Sequence, residues 1–304
     1  MLEKITTIAG DFAMIFVGLL VESMPFVVIG VTISCLIAKF VKVSDILKYK
    51  SKNPVLSHLQ CLFIGTILPV CECGNIPLAK RLSLMGFRPS EIITFILASP
   101  IFNPLVLATT LIAFSFDPRI GFARVLIGGF IALFTGLLFS FAKNPNELMA
   151  TIVTPKPKFS FSSPTTTPEL IKPSLVDTFR HEFFESFKML SVGCFLAAGF
   201  QSIIPRSFFA TFAQSPTLSV LALMGLAFLI SICSSVDAFF ALSFVGIFNF
   251  GAIISFLVFG PMIDIKTLSM LSGIFKIKTL ILLTILVALC SLVAGLGINY
   301  FYLL

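Results

Sequence analysis

Leu68-Pro-Val-Cys-Glu-Cys-Gly-Asn-Ile-Pro-Leu78 stands in the middle of an apolar stretch of membrane length. Ile230-Ser-Ile-Cys-Ser-Ser-Val-Asp-Ala-Phe239 interrupts a second apolar stretch in the same way. Hydrocarbon cannot hydrogen-bond a freed peptide group. Non-helical backbone at membrane depth therefore persists only where protein or a water-filled cavity satisfies it. Matching interruptions in two halves of a chain point to a binding site on a transport path.

Working outward, 57% of the 304 residues are hydrophobic and only 12% are charged, whereas soluble domains carry about a quarter charged residues. Several segments exceed the roughly 18 apolar residues that span a bilayer. The fold class is an all-α polytopic integral membrane protein, multi-pass in the plasma (inner) membrane, with the lipid bilayer as its first partner. The net charge of +7 is explained by position: Lys39, Lys42, Lys48, Lys50 and Lys52 follow the first apolar segment, which suits the cytoplasmic side and anionic headgroups. No room is left for a basic domain outside the membrane, which excludes nucleic acid as a partner.

Cys35, Cys61, Cys194, Cys233 and Cys290 are scattered singly in apolar runs, the pattern of small hydrophobes and not of a disulfide framework. The first apolar stretch, Ile5 to Phe40, is too long for a signal peptide core and reads as a retained span. There is no His-Glu-x-x-His, Gly-x-Ser-x-Gly or phosphate-loop motif. The expectation is a protein without enzymatic activity or cofactor, driven by an ion gradient.

Residues 143–175 break the apolar pattern with Pro145, Pro155, Pro157, Pro164, Pro168 and Pro173 and a run of Ser and Thr. Such a stretch buries too little surface to offset its ordering entropy and reads as a polar linker. It separates a first transmembrane repeat, 1–142, from a second, 176–304. Glu22-Ser23 with Gly30 echoes Glu185-Ser186 with Gly193. Cys71, Cys73 and Asn75 echo Cys233, Ser235 and Asp237, and Ser99-Pro100-Ile101-Phe102-Asn103 echoes Gly260-Pro261-Met262-Ile263-Asp264. Three matches in one order argue for an internal repeat.

About eight apolar segments result, near 6–40, 55–86, 89–117, 119–142, 176–205, 216–248, 249–275 and 277–303. The second and third of each half are discontinuous helices, because Pro100, Pro104 and Pro261 remove helical donors. Four full crossings per half make the halves parallel; an odd number makes them inverted. If 55–86 crosses once, Lys80, Arg81 and Arg88 strain the positive-inside rule; as a re-entrant hairpin it does not.

Cys71 and Cys73 sit one residue apart in a helix break, where thiolates favour soft metals and trivalent metalloids. Cys233 is a third candidate metal or cargo ligand; close packing of small residues is the structural alternative. A carboxylate in the bilayer centre costs roughly 2.5–3.5 kcal/mol, so each one should face a cavity or a partner. Glu22, Glu72 and Glu185 are candidates for proton coupling. Asn75, Asn103, Asp237 and Asp264 are candidates for contact with the cargo. Helix capping is the alternative for Asp237 and Asn75. Lys80 and Arg81 read as snorkelling side chains or anion attractors, Lys266 as a partner of Asp264 or an interfacial anchor. His58 and His181 read as solvated at the interface.

Pro-x-Cys-x-Cys-Gly-x-x-Pro-Leu-Ala at 69–79, Ala-Ser-Pro-x-x-Asn-Pro at 98–104, Cys-Ser-x-x-Asp-Ala-Phe at 233–239 and Gly-Pro-Met-x-Asp at 260–264 resemble the bacterial predicted-permease family, whose members include exporters of trivalent organoarsenicals. The resemblance implies an inner-membrane permease of about eight spans, its path lined by Cys71, Cys73, Asn103, Cys233, Asp237 and Asp264. Glu72 departs from the small residue expected between the two cysteines, which admits a cationic metal as cargo. The expected function is efflux of a small solute, metal or metalloid ion. The alternatives are a membrane thiol-redox carrier using Cys71 and Cys233, and a subunit that docks a partner protein through linker 143–175. Oligomeric state is left open.

Overall fold

In the computed structural model, residues 2–40, 50–51, 53–67, 71–115, 117–141, 148–149, 175–203 and 215–303 are described. Lys42, Lys48, Lys52, Leu68, Pro69, Val70 and nearly all of the expected linker lie outside them. Twelve helices make up the described fold: α1 (Leu2–Phe40), α2 (Pro54–Ile67), α3 (Glu72–Leu84), α4 (Pro89–Phe102), α5 (Pro104–Ala113) and α6 (Pro118–Ser140). They are followed by α7 (Leu175–Ile203), α8 (Pro216–Ile230), α9 (Asp237–Ala241, continued by a 3-10 turn Leu242–Phe244), α10 (Phe250–Met262), α11 (Ile265–Leu271) and α12 (Ile277–Leu303). Among the described residues β-pairing is confined to two isolated bridges.

Among the described residues six stretches are long and apolar enough to cross a membrane: Ala9–Phe40, Pro89–Ala113, Pro118–Ser140, Leu175–Ile203, Phe250–Leu271 and Ile277–Phe301. The expected segments 55–86 and 216–248 are split into the shorter helices α2, α3, α8 and α9. Prolines mark many of the starts. α2, α4, α5, α6 and α8 each begin on one, where its missing N–H costs nothing. Pro104 cannot donate to the carbonyl of Pro100, so α4 stops at Phe102 and α5 restarts behind Asn103, whose Oδ1 accepts from Leu105 N at 2.9 Å. At the corresponding point of α10, Ile263 and Asp264 turn extended, and Asp264 Oδ1 accepts from Thr267 N at 2.5 Å to start α11.

α4–α5 and α10–α11 form the centre: 67% and 89% of their apolar windows are buried, against 17% for α1 and 22% for α12. α4 packs on α2, α6 and α10, and α10 packs on α8 and α12. α1 lies along α7, with α3 against α1 and α11 against α7. The outer faces carry exposed Val17, Phe122, Phe130, Phe195, Ile281 and Val293, a surface made for lipid.

Two further contacts orient the split segments. Lys50 Nζ donates to Gly86 O at 3.3 Å, so the chain entering α2 lies beside the chain leaving α3. Near the end of α12, Gly295 lies against both Val220 of α8 and Gly251 of α10. The starts of α8 and α10 are therefore on one side.

Small residues let the elements meet backbone to backbone, as between membrane helices generally. A Cβ on Gly30 would strike the carbonyl of Gly74, and one on Gly193 would lie 2.9 Å from Lys266 Cα. Gly30→Ala should therefore destabilise the protein by about 1–3 kcal/mol, since neither colliding backbone can rotate away. Gly18→Ala, on the same helix but facing open space, should leave it as stable as the parent. Thermal unfolding in nanodiscs checks this; equal melting of both variants removes the close-approach account.

Candidate functional site

The first interruption ends at Cys71, whose extended backbone precedes α3. The first two turns of that helix, Glu72 to Ala79, are buried. The second interruption begins at Ser231, which takes the left-handed conformation (φ 51°, ψ 41°) at the end of α8, a choice that costs about 1–2 kcal/mol outside glycine. Gln201 of α7 meets one freed carbonyl there, donating to Ile230 O at 2.8 Å.

The two interruptions meet. Ser234 Oγ donates to Glu72 Oε2 at 2.9 Å, and the Cys71 thiol lies in hydrogen-bonding range of both Cys73 and Cys233. The backbone N–H of Cys233 faces the half-buried Glu22 carboxylate of α1. Donor atoms of Cys71, Glu72 and Cys73 all fall within 4.8 Å of one another. Two sulfurs and one carboxylate oxygen make a mixed donor set that suits a soft or borderline cation.

Lys266 of α11 closes the cluster from the other side. It is fully buried, with Nζ 3.5 Å from Glu72 Oε1, so it is neither an interfacial anchor nor the direct partner of Asp264. The Asp264 carboxylate is turned to Thr267 N as a helix cap. Several buried polar atoms here make no hydrogen bond within the protein: Glu72 Oε1, Asn75 Nδ2, Lys266 Nζ and Thr267 Oγ1. Buried polar groups are ordinarily satisfied, so this group of atoms makes the cluster the candidate site.

The other expected residues have partners of their own. Asn75 Oδ1 accepts from Ser99 Oγ at 2.9 Å, which ties the first interruption to α4. Asn103 caps α5. Asp237 is the first residue of α9, and its carboxylate also meets the backbone N–H of Ala238. It is held by Arg124 of α6, Nη2 to Oδ2 at 2.5 Å and Nη1 to Oδ1 at 3.1 Å. Glu185 pairs with Lys80 at 2.7 Å, two turns along α3 from Glu72, and its side chain is 42% exposed. Lys80 and Arg81 do not snorkel alone, because Arg81 pairs with Glu182, which also takes Ser34 Oγ at 2.8 Å. His58 is buried rather than interfacial, with Nδ1 2.7 Å from Pro54 O.

Arg124 was not among the expected site residues. Its one sequence signal is a second arginine, six residues into Pro118–Ser140 and beyond Arg119 at the helix start, since a charge at that depth requires a partner. Glu91 is a second omission. It is buried and accepts from Ser57 Oγ at 2.7 Å and from Lys50 Nζ at 2.6 Å, fastening the starts of α2 and α4 together.

A family model described as "Predicted permease" matches residues 8–300. The chain belongs to the predicted permease family. Among curated relatives of this permease, the UPF0718 protein YcgR of Bacillus subtilis (strain 168) is 38% identical over 272 residues, 88% of this chain and 90% of the relative. A Streptococcus mutans serotype c protein, named as a subunit of a two-component membrane permease complex, is 31% identical over 265 residues, 87% of each chain. No solved structure matches the permease. It is a multi-pass membrane protein of the permease class.

The permease's Arg124–Asp237 pair gives a direct test of its buried electrostatics. Asp237→Ala leaves a guanidinium uncompensated in an apolar setting and should cost about 3–5 kcal/mol. The double variant Arg124→Met/Asp237→Ala should melt above that single variant, because no lone charge is left. A double variant that melts at or below the single one contradicts the pairing.

Proposed function

We propose that this permease is a secondary transporter, an exporter of a small thiophilic solute, with soft metal ions and trivalent metalloid or organoarsenical species as the cargo class. The observation that carries the reading is the meeting of the two interruptions around Cys71, Glu72 and Cys73, with Cys233 and Ser234 completing the wall. The same residues, buried in this closed arrangement, become a binding site once either flank opens. Asn75 borders that site; Asp237, Asp264 and Asn103 hold the helix ends and ion pair that frame it. The protein acts on its cargo by moving it and performs no chemistry.

The chain's course supports alternating access. Segment 55–86 enters and returns on one side, by the Lys50–Gly86 contact. Segment 216–248 enters and returns on the other, because the starts of α8 and α10 share the far end of α12. Each repeat then has three crossings and one re-entrant hairpin, and an odd number of crossings makes the repeats inverted. Lys39, Lys50, Lys80, Arg81 and Arg88 fall together on the cytoplasmic side, as the positive-inside rule requires. Two hairpins that enter from opposite faces and touch tips give one site two routes out.

Coupling to protons is assigned to Glu22, which faces the second interruption, with Glu72 at the cargo and Glu185 at the Lys80 ion pair. The relative named as one subunit of a two-component complex supports a partner protein here as well, and linker 143–175 is the segment proposed to meet it.

Transport into everted vesicles tests both parts. Cys71→Ala and Cys73→Ala should each lower accumulation of Cd(II) or methylarsenite by about tenfold or more; undiminished uptake in both rejects the site. Removing Glu22 and Glu185 together should abolish the response to a proton gradient, and a retained response rejects the coupling residues.

The proximity of Cys71 to Cys233 favours one rival, a thiol-redox carrier in which these two sulfurs close and open a disulfide. Cys233→Ser alone separates the readings. It should abolish a redox carrier completely, whereas a permease that keeps Cys71, Glu72 and Cys73 should retain part of its transport.

A further inference from the structure

Lys266 is out of place in a site built only to hold a metal. Its ammonium is fully buried and makes no hydrogen bond within the protein, although an ammonium has three donors to satisfy. It faces Glu72 Oε1, an equally buried oxygen that also makes no hydrogen bond. Around this pair stand the thiols of Cys71 and Cys73 and the carboxylates of Asp264 and Glu22. Formally the cluster carries three carboxylates, Glu22, Glu72 and Asp264, against one ammonium. The cationic side is short by two charges. Burying an ion is costly unless geometry and hydrogen bonds compensate, and here the geometry leaves both partners under-satisfied.

We infer that Lys266 is a tethered counter-ion occupying the place of a cationic cargo: a soft metal cation bound by Cys71, Glu72 and Cys73 displaces its ammonium from Glu72. This rests on the reading of the site as a cargo site and narrows the cargo within it. An anion would meet a cluster with an excess of carboxylates. A neutral metalloid would bind sulfur and leave the Glu72–Lys266 pair undisturbed. Only a cation competes with the ammonium for the same carboxylate oxygen. Lys266 then acts as a positioning residue that sets how tightly cargo is held. By offering Glu72 an intramolecular alternative it weakens binding and promotes release: in the exchange the metal forms coordinate bonds to the two sulfurs and the Glu72 oxygen, the two thiols release their protons, and the Glu72–Lys266 ion pair opens.

The backbone supports this role. Gly193 of α7 lets Lys266 Cα approach closely, and the Asp264 cap fixes the first turn of α11. The stem of Lys266 is therefore anchored while its tip ends at the site. Displacement needs a rotation of the side chain, not a movement of the helix.

The test is equilibrium binding of Cd(II), and of Cu(I) under reducing conditions, to the full-length protein in nanodiscs. Lys266→Met should bind Cd(II) about tenfold or more tightly than the parent, within the span usual for coupled sites. Cys71→Ala/Cys73→Ala should lose binding. Unchanged or weaker binding by a folded Lys266→Met, with binding still dependent on the cysteines, overturns the counter-ion role and leaves the cargo site standing. Cysteine-dependent binding of methylarsenite alone, equal in parent and Lys266→Met, overturns the cationic assignment. No cysteine-dependent binding of any of the three probes removes the cargo site itself. Should Lys266→Met fail to fold, the parent still decides the matter. Amine-directed labelling of Lys266, read by mass spectrometry, should rise when Cd(II) is added; labelling indifferent to Cd(II) overturns the inference.

Discussion

Peptide groups freed inside a membrane find no partner in lipid, and the two helix interruptions answer this constraint by facing one another. Several of the broken ends have a named solution. Gln201 donates to the last carbonyl of α8, Asn103 and Asp264 accept from the first amides of α5 and α11, and Ser231 turns left-handed to end its helix. These solutions bring Cys71, Glu72, Cys73, Cys233 and Ser234 into one buried cluster. Break residues that satisfied themselves separately would have left no reason for the thiols and acids to converge.

Ion pairing adds a second layer to the same design. Arg124–Asp237, Lys80–Glu185, Arg81–Glu182 and Lys266–Glu72 each join a residue before position 142 to one after position 176. Of the ion pairs among the described residues, only Lys50–Glu91 stays within the first part. Apolar contacts between membrane helices have little driving force against lipid, so packing and polar links hold the bundle together. Polar links across one boundary are also the contacts that must exchange if one part rocks against the other. Lys266 belongs to this layer and to the buried cysteine cluster at once.

Much of this was legible in the residues. Apolar runs and low charge place the helices, and the cysteine and proline patterns locate the interruptions, because both signals depend on composition near one point of the chain. What was hidden depends on contacts far apart in sequence. Segments 55–86 and 216–248 look the same on paper whether they cross or return; the contacts that bear on it, Lys50 with Gly86 and Gly295 with Val220 and Gly251, join residues far apart in sequence. Asp264 is the sequence neighbour of Lys266, yet a backbone amide claims its carboxylate and Lys266 reaches Glu72 instead. Arg124 is one of two arginines near the start of an apolar helix, and nothing local in the sequence marks its partner Asp237, 113 residues away, which reads equally as a helix cap or a cargo contact.

The central claim is that the two interruptions touch, and cross-linking in the native membrane tests it most directly. Cys71 and Cys233 are kept as the only thiols, a protease site is placed in the linker between residues 150 and 170, and mild oxidation is followed by cleavage. The account predicts that the two fragments migrate together without reductant and separate with it. Fragments that separate under both conditions, in protein that still folds, contradict it.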